Sequence, residues 1–118
     1  MRELAAVFAG GVIGAIARVE LAAAVVSDPA RWPWATFVAN VCGALALGYV
    51  AVRTRGTRRL FLGPGLCGAL TTFSTLQLEL LVMLDGERYV LAGAYALASV
   101  LAGLGAVALA TRLSGRAA

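Results

Sequence analysis

Residues 60–84 read LFLGPGLCGALTTFSTLQLELLVML, a stretch apolar enough to enter a membrane and poorly built for an unbroken helix. A bilayer core of about 30 Å needs roughly 20 apolar residues in helical form, and this run is long enough to cross. Gly63 and Gly65 flank Pro64, Gly68 follows, and Thr71-Thr72-Phe73-Ser74-Thr75 then crowds hydroxyls into the middle of the run. Proline deletes an amide donor and glycine raises the entropic cost of a helix. The reading is a transmembrane helix broken at midmembrane, around residues 71–75. Irregular backbone at that depth persists only where protein buries it or where it lines a cavity, and carbonyls freed by broken helices commonly coordinate a cation such as Na⁺. A second reading stays open on the residues alone, in which the hydroxyls bond back to the preceding turn of a helix that only bends.

Three further apolar runs, 4–26, 33–52 and 89–111, join 60–84 to make four spans, separated by short polar turns at 27–32, 53–59 and 85–88. Turns this short make consecutive helices antiparallel. The fold class expected is therefore an all-α membrane protein, with one four-helix transmembrane domain over residues 1–118. Composition agrees: 61% of the residues are hydrophobic, where a soluble domain holds about 45–50%. Met1 to Ala5 carries Arg2 and Glu3, and no convincing cleavage site follows, so the first run reads as a retained helix. The glycines Gly10, Gly14, Gly43, Gly48, Gly93 and Gly103 are expected to let helix backbones approach closely, since packing rather than a hydrophobic push joins helices in lipid.

All ten basic residues are arginine and there is no histidine, which removes His-based metal binding and acid–base catalysis. With no nucleophile–base pair either, an enzyme is not expected. The net charge of +4 is distributed between the apolar runs, which points to lipid headgroups rather than to nucleic acid. One side of the membrane collects Arg2, Arg53, Arg55, Arg58, Arg59, Arg112 and Arg116, and the other only Arg31 and Arg88. The positive-inside rule then predicts cell-membrane insertion with both termini inside. Cys42 and Cys67 lack the spacing of a zinc site or redox pair and read as small buried hydrophobes.

Polar groups inside a span are costly, so each marks a functional hypothesis. Arg18 and Glu20 lie toward the far end of the first run, and Glu79 follows the 71–75 hydroxyls. Asn40 falls four residues after Thr36, on one helical face, and Ser99 repeats that spacing after Tyr95. The Asn40 amide has two readings, a donor to an anion or a clamp between helices.

Three ordered motifs, GGVIGAIAR at 10–18, TFVANVCG at 36–43 and GLCGALTTFST at 65–75, resemble the fluoride channels of the bacterial Fluc, or CrcB, family. The resemblance covers nearly the whole chain. It implies an antiparallel dimer of four-helix subunits with two narrow fluoride pathways, and a structural Na⁺ held at the interface by the backbone carbonyls of Gly68 and Thr71. Asn40 and Phe73 would line the fluoride path, together with Ser74 and Thr75. Thr36, Glu79, Tyr95 and Ser99 match a polar track beside it, and Arg18 matches a vestibule position. The implied role is passive fluoride efflux that relieves toxicity.

One departure stands out: the family has a second Phe three residues after the first, where this chain has Leu76. An aliphatic side chain has no positive ring edge for an anion. An antiparallel homodimer also requires one sequence to insert both ways, which conflicts with the arginine bias of seven against two. The expectation is pairing with a homologous subunit of opposite orientation. Two other readings remain open at this stage, a non-conducting accessory subunit and a small antiporter of the multidrug-resistance kind, for which Glu20 is the only first-helix carboxylate.

Overall fold

The computed structural model describes residues 1–25 and 31–116, and among these the only regular structure is helical. Two uninterrupted helices come first, α1 (Arg2–Ala24) and α2 (Trp34–Arg53). The third crossing is composite. It starts as α3 (Gly56–Leu60), widens into a π-helical stretch, Phe61–Cys67, around Pro64, and ends its first half with the single turn α4 (Gly68–Leu70). After extended residues Thr71 and Thr72 it resumes as α5 (Phe73–Asp85), and α6 (Tyr89–Arg116) completes the bundle. Four helical spans are long and apolar enough to cross a membrane, the third running over Gly56–Asp85.

The expected break is present and falls at Thr71-Thr72, so Phe73, Ser74 and Thr75 already belong to the second half-helix. The third crossing begins four residues before the expected residue 60. Thr54 is buried, its hydroxyl donating to the Val50 carbonyl at 2.7 Å, and closes α2. Gly56 then turns the chain at a φ of +61°, a backbone angle that favours glycine, so Thr57, Arg58 and Arg59 are helical rather than loop. The last helix runs on past residue 111 because nothing interrupts it there: Thr111 folds its hydroxyl back onto the Val107 and Ala108 carbonyls, both at 2.9 Å. The expected first turn lies partly in 26–30, outside the described residues.

Small residues set the packing. The buried apolar positions include Ala35, Ala39, Cys67, Ala92, Ala106 and Ala110, whereas Leu4, Phe8, Val90 and Leu104 are exposed. That inside-out size pattern suits a chain solvated by lipid, where close backbone approach replaces hydrophobic exclusion. α1 meets the π-helical stretch backbone to backbone. A Cβ on Gly10 would collide with the Phe61 carbonyl oxygen, and one on Gly14 with the Leu66 carbonyl oxygen. On the other side α2 packs along α6, where a Cβ on Gly48 would lie 2.7 Å from the Ala110 Cβ. Gly43 faces the Thr71 methyl group.

Two expectations about these faces change. Beyond their own helix backbone, Gly93 and Gly103 have no atom of the described residues within 4 Å of a built Cβ, so they are not close-packing positions among those residues. Cys42 is exposed and only Cys67 is buried. The helical period explains it: Thr36, Ala39, Gly43 and Val50 form the buried stripe of α2, and Cys42 sits off it with Leu45 and Tyr49.

At the end of the bundle that carries the 85–88 turn, Met83, Ala92 and Tyr95 form a buried cluster. Trp32, Phe37, Leu76, Leu80 and Leu91 pack around it. Replacing Gly14 with Leu is expected to lower stability by more than the about 1–3 kcal/mol of ordinary overpacking, because the obstacle is backbone. Gly93→Leu is expected to leave the chain's stability unchanged. Thermal unfolding in detergent, followed by circular dichroism, compares the two.

Candidate functional site

The helix break can be read by following each backbone donor across it. The Thr71 N–H still reaches the Cys67 carbonyl at 3.1 Å, as in an intact helix. One residue on, the pattern is diverted. The Thr72 N–H, which an unbroken helix would give to Gly68, instead goes to Asn40 Oδ1 at 2.7 Å. Asn40 Nδ2 returns a bond to the Thr72 carbonyl at 3.3 Å. The Thr75 N–H, which would serve the Thr71 carbonyl, goes at 3.2 Å to Thr72 Oγ1, the cap of α5. The Ala69 carbonyl is taken by Arg18 Nε at 3.0 Å.

These diversions strip Gly68 and Thr71 of the amides that helix geometry would assign to their carbonyls. Gly68 receives only a long approach of 3.5 Å from Thr71 Oγ1, whose shorter bond, 3.0 Å, is to Cys67. Both readings of the hydroxyls therefore hold in part: Thr71 bonds back to the preceding turn, and the helix breaks all the same. Gly68 and Thr71 border an open groove of about 390 Å³, lined also by Gly43, Leu47, Gly63 and Pro64. Among the described residues no three His, Cys, Asp or Glu side chains gather as a metal cluster.

A second cluster lies toward the 85–88 turn. Glu79 accepts from Thr36 Oγ1 at 3.0 Å on one carboxylate oxygen and from the Tyr95 hydroxyl at 2.9 Å on the other. Tyr95 is fully buried. Ser99 lies one turn further along α6, and its hydroxyl oxygen is buried without a hydrogen-bond partner among the described residues. The indole nitrogen of Trp32, whose ring packs edge-on against Tyr95 at a centroid distance of 5.2 Å, is buried and unpartnered in the same way. Between the two clusters is a cavity of about 60 Å³ lined by Arg18, Thr36, Thr72 and Thr75 together with Ala22, Ala35 and Ala39.

The structure thus gathers Asn40, Gly68 and Thr71 at the break, and Thr36, Glu79 and Tyr95 at the second cluster, with Arg18 and Thr75 between them. It does not bring Phe73 or Ser74 into either. Both point out of the subunit, Phe73 with 71% of its surface exposed. Leu76 is half-buried against the Tyr95 cluster, so it serves its own subunit's core. Thr72 and Trp32 were not among the expected site residues. Thr72 is a residue type favoured at helix N-caps, but Thr71, Ser74 and Thr75 beside it are as well. Trp32, beside Pro33 and four residues before Thr36, carried no comparable mark.

Four apolar crossings, the third of them opened midway along its length, define a multi-pass membrane protein of the kind that moves solutes through its interior. The family model described as "CrcB-like protein, Camphor Resistance (CrcB)" matches residues 5–111, and the chain belongs to that family. A relative from Mycolicibacterium paratuberculosis, "Fluoride-specific ion channel FluC 1", is 52% identical over 95% of this chain and 89% of its own length. "Fluoride-specific ion channel FluC 2" of Nocardia farcinica is 39% identical over 92% and 81% of the two chains. "Fluoride-specific ion channel FluC" of Oceanobacillus iheyensis is 34% identical over 97% and 92%.

Asn40 is first of all the clamp of the break. Asn40→Ala leaves the Thr72 N–H and carbonyl without their partners and is expected to cost about 1–3 kcal/mol per stranded group. Asn40→Asp keeps the acceptor for Thr72 N–H and should retain part of the loss. Unfolding midpoints in a denaturing detergent series would rank wild type above Asp and Asp above Ala.

Proposed function

We propose that this chain is a subunit of a fluoride-selective channel giving passive fluoride efflux, assembled as an antiparallel dimer around a structural Na⁺. The observation that carries the reading is the break itself, where Asn40 and Thr72 divert the helical donors and leave the Gly68 and Thr71 carbonyls without backbone donors beside an open groove. The printed function of the relatives supplies the ion. The Gly68 and Thr71 carbonyls fit a hard cation such as Na⁺, which takes oxygen ligands at half-helix ends. A bound cation there adds a fixed positive field near the pathway.

Fluoride is compact and strongly hydrated, so a dry pathway must supply donors. Asn40 Nδ2 carries two hydrogens and spends one on Thr72, which leaves one for an anion. Phe73 offers a ring edge, positive through its quadrupole, which holds an anion without the full charge that would trap it. Its exposure in the single subunit fits a surface completed by a second subunit. Arg18 and the hydroxyls around its cavity make a positive vestibule. Glu79 orients the Thr36 and Tyr95 hydroxyls along the track that Ser99 extends.

Seven arginines at one end against two at the other favour one insertion direction, and we therefore read the partner as a homologous subunit of opposite orientation, with the termini of this chain inside. Protein expressed alone and then with a homologue distinguishes the assemblies. Stable, conducting dimers from the single chain would rule out the obligate partner. Flux that appears only on coexpression supports it.

The channel reading is tested by efflux from proteoliposomes under a potassium diffusion potential. Fluoride is expected to leave and chloride to stay. Phe73→Ala is expected to cut the fluoride rate at least tenfold, equal to about 1.4 kcal/mol of barrier, without moving the subunit's own unfolding midpoint. Wild-type vesicles, prepared with and without a homologue, that retain fluoride would overturn the reading.

A further inference from the structure

The polar track holds donors that are already spent and donors that are not. The Tyr95 and Thr36 hydroxyls both donate to Glu79, so their protons are committed. On either side of them stand two buried groups without partners among the described residues, Ser99 Oγ and Trp32 Nε1. Ser99 lies about 6 Å beyond Tyr95 along α6, at 1.5 Å per residue. Trp32 lies on the opposite side, toward the 85–88 turn.

Trp32 is held firmly. Its carbonyl accepts from the Trp34 N–H at 2.9 Å, and its ring meets Phe37 edge-on at 5.4 Å as well as Tyr95 at 5.2 Å. An indole nitrogen only donates. A buried donor left unpaired costs about 1–3 kcal/mol, so a fixed ring with its N–H unspent calls for an occupant. Because that nitrogen is shielded by its own chain, neither lipid nor a partner subunit reaches it. Its occupant must be a small species that enters as the surrounding side chains shift and that accepts hydrogen bonds without needing to donate any. A desolvated anion meets that requirement.

We propose that the Trp32 indole N–H donates to the permeating anion at the end of the polar track nearest the 85–88 turn. The proposal rests on the channel reading above for the identity of the ion. Tyr95 and Thr36 stand between the two unspent donors, and Trp32 supplies the one at that end.

The chain has two tryptophans, so Trp34→Phe leaves Trp32 as the sole indole reporter; Trp34 is 55% exposed, and Phe keeps an aromatic ring where Trp34 meets Trp32 at a centroid distance of 6.0 Å. Emission of this variant is recorded while sodium fluoride, and separately sodium chloride, is titrated at constant ionic strength. A saturable change with fluoride that chloride does not produce is expected. In parallel, Trp32→Phe keeps an aromatic ring and removes the donor. Its fluoride efflux is expected to fall about tenfold, the scale of one lost bond to a charged group. Emission indifferent to fluoride overturns the proposal. Trp32→Phe flux equal to that of wild type overturns it as well. A saturable fluoride response in a protein that moves no fluoride would sustain this site and defeat the channel reading, so the two fail separately.

Discussion

The reciprocal pair between Asn40 and the backbone of Thr72 is the interaction on which the rest of this fold depends. Backbone polar groups at bilayer depth have no water to turn to, and each one left unpaired costs several kcal/mol. A side-chain amide is one of the few groups that offers a donor and an acceptor together, matching the N–H and the carbonyl that one residue exposes when a helix opens. Arg18 treats the Ala69 carbonyl in the same spirit, and Thr72 caps α5 with its own hydroxyl. The break is thus held from α1, from α2 and from within.

Close packing makes those bonds reachable. Gly10, Gly14 and Arg18 are spaced by four on α1 and meet, in turn, the Phe61 and Leu66 backbone, then Leu66 and Ala69, then the Ala69 carbonyl. The π-helical stretch around Pro64 widens the facing backbone so that this ladder fits. Two glycines bring the axes together, and the arginine one turn later arrives at the end of the half-helix. Packing and electrostatics are therefore one arrangement: a bulkier residue at Gly14 pushes Arg18 away from its carbonyl as well as straining the interface.

Much of this was legible in the residues. The four spans follow from run length, and the break follows from Gly63, Pro64, Gly65 and the crowded hydroxyls. The sequence raised both roles for Asn40, and only coordinates reveal that it occupies the clamp. Thr72 was hidden because a cap depends on which neighbour turns extended, and three other hydroxyls nearby competed for the role. The early start of α3 depended on one glycine at positive φ. The outward faces of Gly93 and Gly103 are invisible to composition, since a small residue packs equally well against its own subunit, a partner or lipid. Trp32 had no motif because its interest lies in a nitrogen that lacks a partner, a property of the folded chain.

A consequence for biogenesis follows from where the break finds its bonds. The amide of Asn40 and the guanidinium of Arg18 belong to the helices synthesised first, and they satisfy a helix synthesised after them. The third crossing therefore cannot enter lipid as an independent unit in its final form. Its middle is costly until α1 and α2 are already beside it, and the chain's order of synthesis is also the order in which that cost is removed.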